Sequence, residues 1–268
     1  MKFFTCTFLL LITLLGSNCA MIQSPFSSHV QEQAIGSDSG VWRLKQGNIR
    51  FVSNQIIHPN QSLKRLKDVA PKQFPFAILV SCSDSRVPPE ILFDQGVGDL
   101  FVVRTAGHVV DSAALASIEY AIEHLGASTI VVMGHESCGA VKAAMTTPAD
   151  KSAGSPSLDS LVAAIKPHIK NYEVNNPNDP KVRSAVSAHV DSVAKELVES
   201  SHIIKEFVEM KKLYFARALY NLEDGSVAFW AEGYPVVSHT VEAHATTQSE
   251  SHSNANLHQK SADPAMRR

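Results

Sequence analysis

Hydrophobic positions change their period several times along the chain, and each change marks an element. "FAILVS" (76–81) and "LFVVR" (100–104) are continuous apolar runs too short for a helix, as expected of strands buried on both faces. From Asp111 the period lengthens. Leu115, Ile118, Ile122 and Leu125 fall at helical spacing, with Asp111 as N-cap and Gly126 as the stop. "TIVVMG" (129–134) returns to strand, and "CGAVKAAM" (138–145) opens a helix. Strand, helix, strand, helix predicts an α/β fold, a mostly parallel central sheet flanked by helices with right-handed crossovers.

The second half of the pattern is mostly helical. Leu158, Leu161, Val162 and Ile165 form a stripe after Ser155-Pro156, and Pro167 should end or kink that helix. Val186, Val190, Val193 and Leu197 form a second stripe. "LYFARALYNL" and "VAFW" read as two strands joined by an Asp-Gly turn. Upstream, "SGVWRLKQGNIRFVSN" reads as an amphipathic helix with Trp42 and Phe51 turned inward.

The two ends lie outside this pattern. "MKFFTCTFLLLITLLGSNCA" (1–20) has one Lys, an apolar stretch and then small residues, the layout of a secretory signal peptide. "LLGSNC" also resembles a bacterial lipoprotein box, which would lipidate Cys19; Gly16 and Asn18 depart from that box. Residues 21–38 are polar and read as a linker. Residues 39–237 carry the periodic segments and are expected to form the folded domain. The tail, 238–268, lacks an apolar period and reads as disordered; its His239, His244, His252 and His258 have no cage spacing. The expectation is an exported, periplasmic protein, touching membrane only if Cys19 is lipidated.

Composition narrows the function classes. Across 268 residues, 44% hydrophobic and 19% charged content is ordinary for a soluble domain. A net charge of -2 argues against nucleic acid as a partner. Removing the leader takes Cys6 and Cys19 with it and leaves Cys82 and Cys138.

Those two cysteines sit where chemistry is expected. Cys82 lies just past one predicted strand, and His135 and Cys138 lie just past another, so neighbouring parallel strands would bring all three to one carboxyl edge. Two thiolates and an imidazole suit Zn²⁺, and three protein ligands leave a tetrahedral ion one open position. Asp84 and Arg86 follow Cys82 at alternate positions. In an extended segment all three would project to one side, with Arg86 holding Asp84 ionised by a bidentate contact. Asp84 could orient a water at the open position or take that position itself. Two alternatives stand beside this reading. One is a Cys82–Cys138 disulfide, which leaves the surrounding His and Asp unexplained. The other is a cysteine nucleophile with His135 as base, which leaves the second cysteine without a role.

"SCSDSRVPPE", "FVVRTAGHVVDSA" and "GHESCGAVKAA", with "GNIRF" (47–51) and "LYNLEDGSV" (219–227), resemble the β-class carbonic anhydrases over Trp42 to Phe229. The resemblance implies zinc held by Cys82, His135 and Cys138, with Asp84 and Arg86 as the catalytic dyad. It implies a pocket for carbon dioxide and bicarbonate formed by Gln73, Phe101, Tyr120 and Gly139. In that family the Gln, Phe and Tyr come from a partner subunit, so a homodimer or higher even-numbered homo-oligomer is expected. One branch marks a second bicarbonate site with a Trp three residues before the first cysteine; Leu79 stands there in this chain. His108 is a candidate proton shuttle whose plain alternative is structural. Two rival functions are a carbonyl sulfide or carbon disulfide hydrolase with the same metal set, and a zinc-binding module without catalysis.

Overall fold

The computed structural model describes residues 37–172, 174, 176–233 and 235. The expected signal peptide with Cys6 and Cys19, the expected linker up to residue 36 and the tail from 238 lie outside the described residues.

Helices α1 (Ser37–Val52) and α2 (Leu63–Val69) precede strand β1 (Ala77–Cys82). Helix α3 (Pro89–Leu92) leads to β2 (Leu100–Thr105), a short 3₁₀ turn at Ala106–His108, and α4 (Ser112–Glu123). Then come β3 (Thr129–His135), α5 (Gly139–Thr146), α6 (Pro156–Ile165), α7 (Lys181–Ser200) and α8 (His202–Glu209). Strands β4 (Tyr214–Tyr220) and β5 (Val227–Gly233) close the fold. The sheet order is β2-β1-β3-β4-β5, parallel except for the final antiparallel pair. Among the described residues no helix is long and apolar enough to cross a membrane.

β1 and β3 are central for a physical reason. Every residue of β1 and β3 is buried, because helices cover both faces of the sheet. Ile78, Val80, Ile130, Val132 and Phe215 face one layer, packing on Ile118 and Ile122 of α4 and on Val190 and Leu197 of α7. Leu79, Val131, Met133, Ala216 and Ala218 face the other, against Val41 and Leu44 of α1. A third cluster, including Val141, Ile165, Val186 and Leu219, packs around Cys82 and Cys138 at the carboxyl edge.

Local signals explain several boundaries. Asp111 caps α4, its carboxylate accepting from Ala114 N at 2.8 Å, and α4 stops before Gly126, which has φ 72°. Ser155 caps α6, which ends at Ile165 just before Pro167. The β4–β5 connection spans residues 221–226, with Gly225 at φ 77°. Asn48 of α1 ties this hairpin to α3: Nδ2 donates to Leu92 O (3.1 Å) and Gly225 O (2.9 Å), and Oδ1 accepts from Val227 N (2.9 Å).

Three expectations need correction. Trp42 points outward, 62% exposed, because Val41, Leu44, Asn48 and Phe51 occupy the inward face of α1 and Trp42 is rotated about 100° from Val41. Leu158 is exposed in the first turn of α6, and the helix buries its stripe through Val162 and Ile165. Strand β2 is an edge strand of the sheet and none of its residues is buried, although its apolar run predicted burial on both faces.

Candidate metal centre

Three element ends deliver the donors. β1 ends on Cys82, β3 ends on His135, and α5 begins immediately after Cys138. β1 and β3 are adjacent and parallel, so their carboxyl ends open on one edge. The ligand atoms of Cys82, His135 and Cys138 all lie within 4.8 Å of one another, and all three residues are buried. Both cysteines are free, which removes the disulfide alternative.

The donor chemistry fits a soft or borderline cation. A carbonyl only accepts, so the 2.9 Å contact to Glu136 O means that His135 Nδ1 donates. That tautomer leaves a lone pair on Nε2, which is buried with no hydrogen-bond partner among the described residues. An orphaned nitrogen lone pair beside two sulfurs suits zinc. The Cys138 thiol donates to Cys82 and, against the cost of burial, holds Cys82 below its ordinary pKa as the thiolate of the pair. Asp84 N and Gly107 N each lie 3.4 Å from Cys82 Sγ and add to this. The same contact and burial push Cys138 up, while the Ala140 and Val141 amides at the start of α5 oppose them. Loading a cation must therefore expel the Cys138 proton.

Asp84 and Arg86 meet as expected but not by the expected route. The chain is not extended after Cys82. Val87 N donates to Asp84 O at 3.0 Å, closing a turn over residues 84–87. Within that turn Asp84 Oδ1 accepts from Arg86 N and Nε, both at 2.9 Å, and Oδ2 accepts from Arg86 Nη2 at 2.7 Å. These bonds hold the Asp84 carboxyl well below the usual carboxylate range. Its Oδ2 is 3.8 Å from His135 Nε2, so the carboxylate faces the donor set.

Supporting residues were less legible. Arg104, at the end of β2, donates from Nε to Cys82 O (3.0 Å) and from Nη2 to Asp84 O (2.7 Å), pinning the segment between ligand and dyad. It stands inside "FVVRTAGHVVDSA", but nothing in the spacing shows that it reaches across to β1. Glu136 pairs with Arg183 of α7 and steadies the loop that carries His135 and Cys138.

The expected pocket residues are spread differently. Gly139 opens α5, and a Cβ there would meet nothing within 4 Å, so the glycine borders open space. Gln73 is exposed in the loop before β1, and Tyr120 is half exposed with its ring 5.0 Å from that of His124. Phe101 is partly buried against the sheet core. Among the described residues, Gln73, Phe101 and Tyr120 make no hydrogen bond to the donor set within one chain. His108 is fully buried, and neither ring nitrogen has a hydrogen-bond partner among the described residues.

A family model described as carbonic anhydrase matches residues 77–227. The carbonic anhydrase of Mycolicibacterium smegmatis is 40% identical over 187 residues, covering 69% of this chain and 90% of that protein. Carbonic anhydrase 2 of Mycobacterium tuberculosis is 40% identical over 185 residues, covering 69% and 88%. Among solved structures, the Coccomyxa β-carbonic anhydrase in complex with acetazolamide aligns with TM-score 0.54 at 24% identity, covering 60% of this chain and 74% of that one. A tetrameric β-carbonic anhydrase from Sordaria macrospora aligns with TM-score 0.55 at 22% identity, covering 72% and 98%. At these identities the structural likeness speaks to the fold: a mostly parallel sheet flanked by helices.

Proposed function

Because the chain belongs to the carbonic anhydrase family, whose general reaction is the hydration of carbon dioxide, we propose that it carries out the reversible, zinc-dependent conversion of carbon dioxide and water to bicarbonate and a proton. The observation that carries the zinc reading is the buried Cys82, His135 and Cys138 donor set, with its orphaned imidazole nitrogen. Those three residues would hold the ion. Two thiolates balance its charge, and when bound the zinc supplies Lewis acidity that makes a water nucleophilic near neutral pH.

The protein's own residues do the rest. An ionised carboxylate only accepts hydrogen bonds, so Asp84 orients the attacking water by holding one of its protons. Three donors from Arg86 occupy Asp84 on one side and leave Oδ2 facing His135. That clamp supports a dyad that stays beside the ion and leaves the fourth position open. A group held so far below neutrality is a poor proton carrier at pH 7, so Asp84 positions and does not shuttle.

The exposed apolar residues Trp42, Ile49, Ile57, Leu63 and Phe74 support a homodimer or higher even-numbered homo-oligomer, in which Gln73, Phe101 and Tyr120 would serve a neighbouring subunit's pocket. The apolar start of the chain supports an exported, periplasmic enzyme. Cell fractionation tests that placement, and an uncleaved cytoplasmic protein would overturn it. The functional test is stopped-flow carbon dioxide hydration by metal-quantified protein beside Asp84→Ala and Cys82→Ser. Both variants should lose most activity, and the proposal fails if both match the parent. Faster turnover of carbonyl sulfide than of carbon dioxide would move the assignment to the related hydrolase.

A further inference from the structure

From Cys82 a row of polar groups runs through Gly107 and α7 to the surface. Gly107 has its amide 3.4 Å from Cys82 Sγ and its carbonyl 2.7 Å from His189 Nε2. His189 Nδ1 lies 2.7 Å from His168 Nδ1, and His168 Nε2 lies 2.6 Å from Glu196 Oε1. His189 is fully buried in α7, its ring flanked by those of His108 at 4.4 Å and His168 at 4.9 Å. Glu196 is more than half exposed.

The direction of each bond follows from what the end groups can do. Gly107 O only accepts, so His189 Nε2 donates. Burial keeps His189 neutral, its pKa depressed to about 4, so its Nδ1 accepts and His168 Nδ1 donates. The Glu196 carboxylate then accepts from His168 Nε2, so His168 donates from both ring nitrogens and stands as an imidazolium paired with that carboxylate. With His168 in that form every member of the row is satisfied. Because the row ends on a carbonyl, which cannot hand a proton on, it is an anchor and not a proton path.

What it anchors is a residue that touches a ligand sulfur. Gly107 sits in a left-handed conformation, φ 62° and ψ 25°, which sends its amide toward Cys82 while its carbonyl meets α7. A Cβ at this position would come within 2.9 Å of Ala140 and 3.0 Å of Ile165, so the residue is also gripped by packing. A hydrogen bond to a thiolate withdraws electron density from the sulfur and fixes its direction, and such outer contacts tune metal sites.

We propose that His189, His168 and Glu196 are positioning residues that fix Gly107 and thereby set the donor strength of Cys82 toward the metal. This rests on the reading of Cys82, His135 and Cys138 as the zinc ligands. The test is zinc affinity by chelator competition, with the thiolate-to-metal charge-transfer band of the cobalt-substituted full chain. His189→Leu removes the donor, and His189→Gln keeps an N–H donor within reach of Gly107. His189→Leu should weaken zinc binding by about tenfold or more, because the thiolate is no longer held in place or stabilised against its proton, and should move the band to lower energy as the sulfur regains electron density; His189→Gln should restore both. Glu196→Ala, exposed and therefore tolerated, should move both readouts the same way but by less than His189→Leu, which keeps the test alive if His189→Leu does not fold. An unshifted band in both His189→Leu and Glu196→Ala, or in Glu196→Ala alone if the leucine variant does not fold, overturns the inference. Equal damage in the leucine and glutamine variants also overturns it, since the ring's packing would then be what matters. If the parent itself binds neither zinc nor cobalt, the functional reading has failed; if the parent binds and the variants match it, only this inference has.

Discussion

The same histidine gives the protein an acid weakness that can be worked out in advance. His189 is buried with its pKa depressed from 6.5 to about 4, mainly because desolvation disfavours its charged form, with His168 acting in the same direction. In the unfolded chain it titrates at its ordinary value. Between those two pH values the unfolded state binds the extra proton, so stability rises with pH there. The contribution is complete above about pH 6.5 and is lost as pH falls toward 4. From pH 7.5 to 5 the loss is about 2 kcal/mol, reaching about 3 kcal/mol below pH 4. For a domain of this size, 2 kcal/mol corresponds to a fall in melting temperature of roughly 4–8 °C. His108, pushed well below its ordinary value by burial, acts in the same sense. The depressed carboxylates Asp84 and Asp94 titrate lower still, and the stability they contribute is present above the unfolded carboxylate value near pH 4. Thermal or urea unfolding at pH 7.5, 6 and 5 should therefore be compared for the parent and His189→Gln, which cannot titrate. Measuring with saturating zinc and again with chelator separates the protons released by the metal ligands. The variant should lose most of the slope and keep the part due to His108. A parent whose stability is flat from pH 7.5 to 5, or a variant with the parent's slope, refutes the reasoning.

Arg86→Ala should lower kcat/KM for carbon dioxide hydration by about 10–100-fold, the cost of a loosened orienting group. Because Asp84 would return only to an ordinary carboxylate value, it stays ionised at pH 7, and raising the pH from 6 to 9 should not restore the loss. Recovery at high pH would show that Arg86 acts through charge and not through geometry. Asn48→Ala strands the carbonyls of Leu92 and Gly225 and the amide of Val227, and should cost roughly 2–4 kcal/mol in chemical denaturation. A cost under 1 kcal/mol would mean that water replaces all three bonds. Trp42 and Ile49 lie two turns apart on α1 and are both mostly exposed, so Trp42→Ser with Ile49→Ser should shift sedimentation toward the monomer with little change in secondary structure. An unchanged oligomer would place the subunit contact elsewhere.

How much was legible depended on whether a signal is local. β1 and β3 could be read because each is a continuous apolar run buried on both faces, and each ends on a ligand. That alone was enough to bring Cys82, His135 and Cys138 together. Trp42 was misread because its size suggested burial, although its angular position on α1 decides the matter. His189 sits in the buried stripe of α7, one residue before Val190, yet apolar periodicity passes over a histidine. It is buried only because His168, Gly107 and His108, from three other segments, satisfy or cover it. Arg104 was invisible for the same reason, since its partners are the backbone carbonyls of Cys82, at the end of the neighbouring β1, and of Asp84 in the turn beyond it.

The Asp84–Arg86 spacing shows a correct pairing inferred from the wrong geometry. Strand pleating also puts alternate residues on one side, but it would leave the Asp84 carboxylate without the Arg86 amide. The turn supplies that amide, because a side-chain oxygen at one position accepts naturally from the backbone two residues on. One arginine then contributes an amide, Nε and Nη2 to a single carboxylate, closing a ring that a long side chain in a strand could leave at will. The chain turns there because β1 has ended at Cys82, Val87 N closes on Asp84 O, and Pro88-Pro89 blocks any return to a paired strand. The two-residue step is thus a requirement of the turn, and the turn converts a weak exposed ion pair into a fixed acceptor facing the donor set.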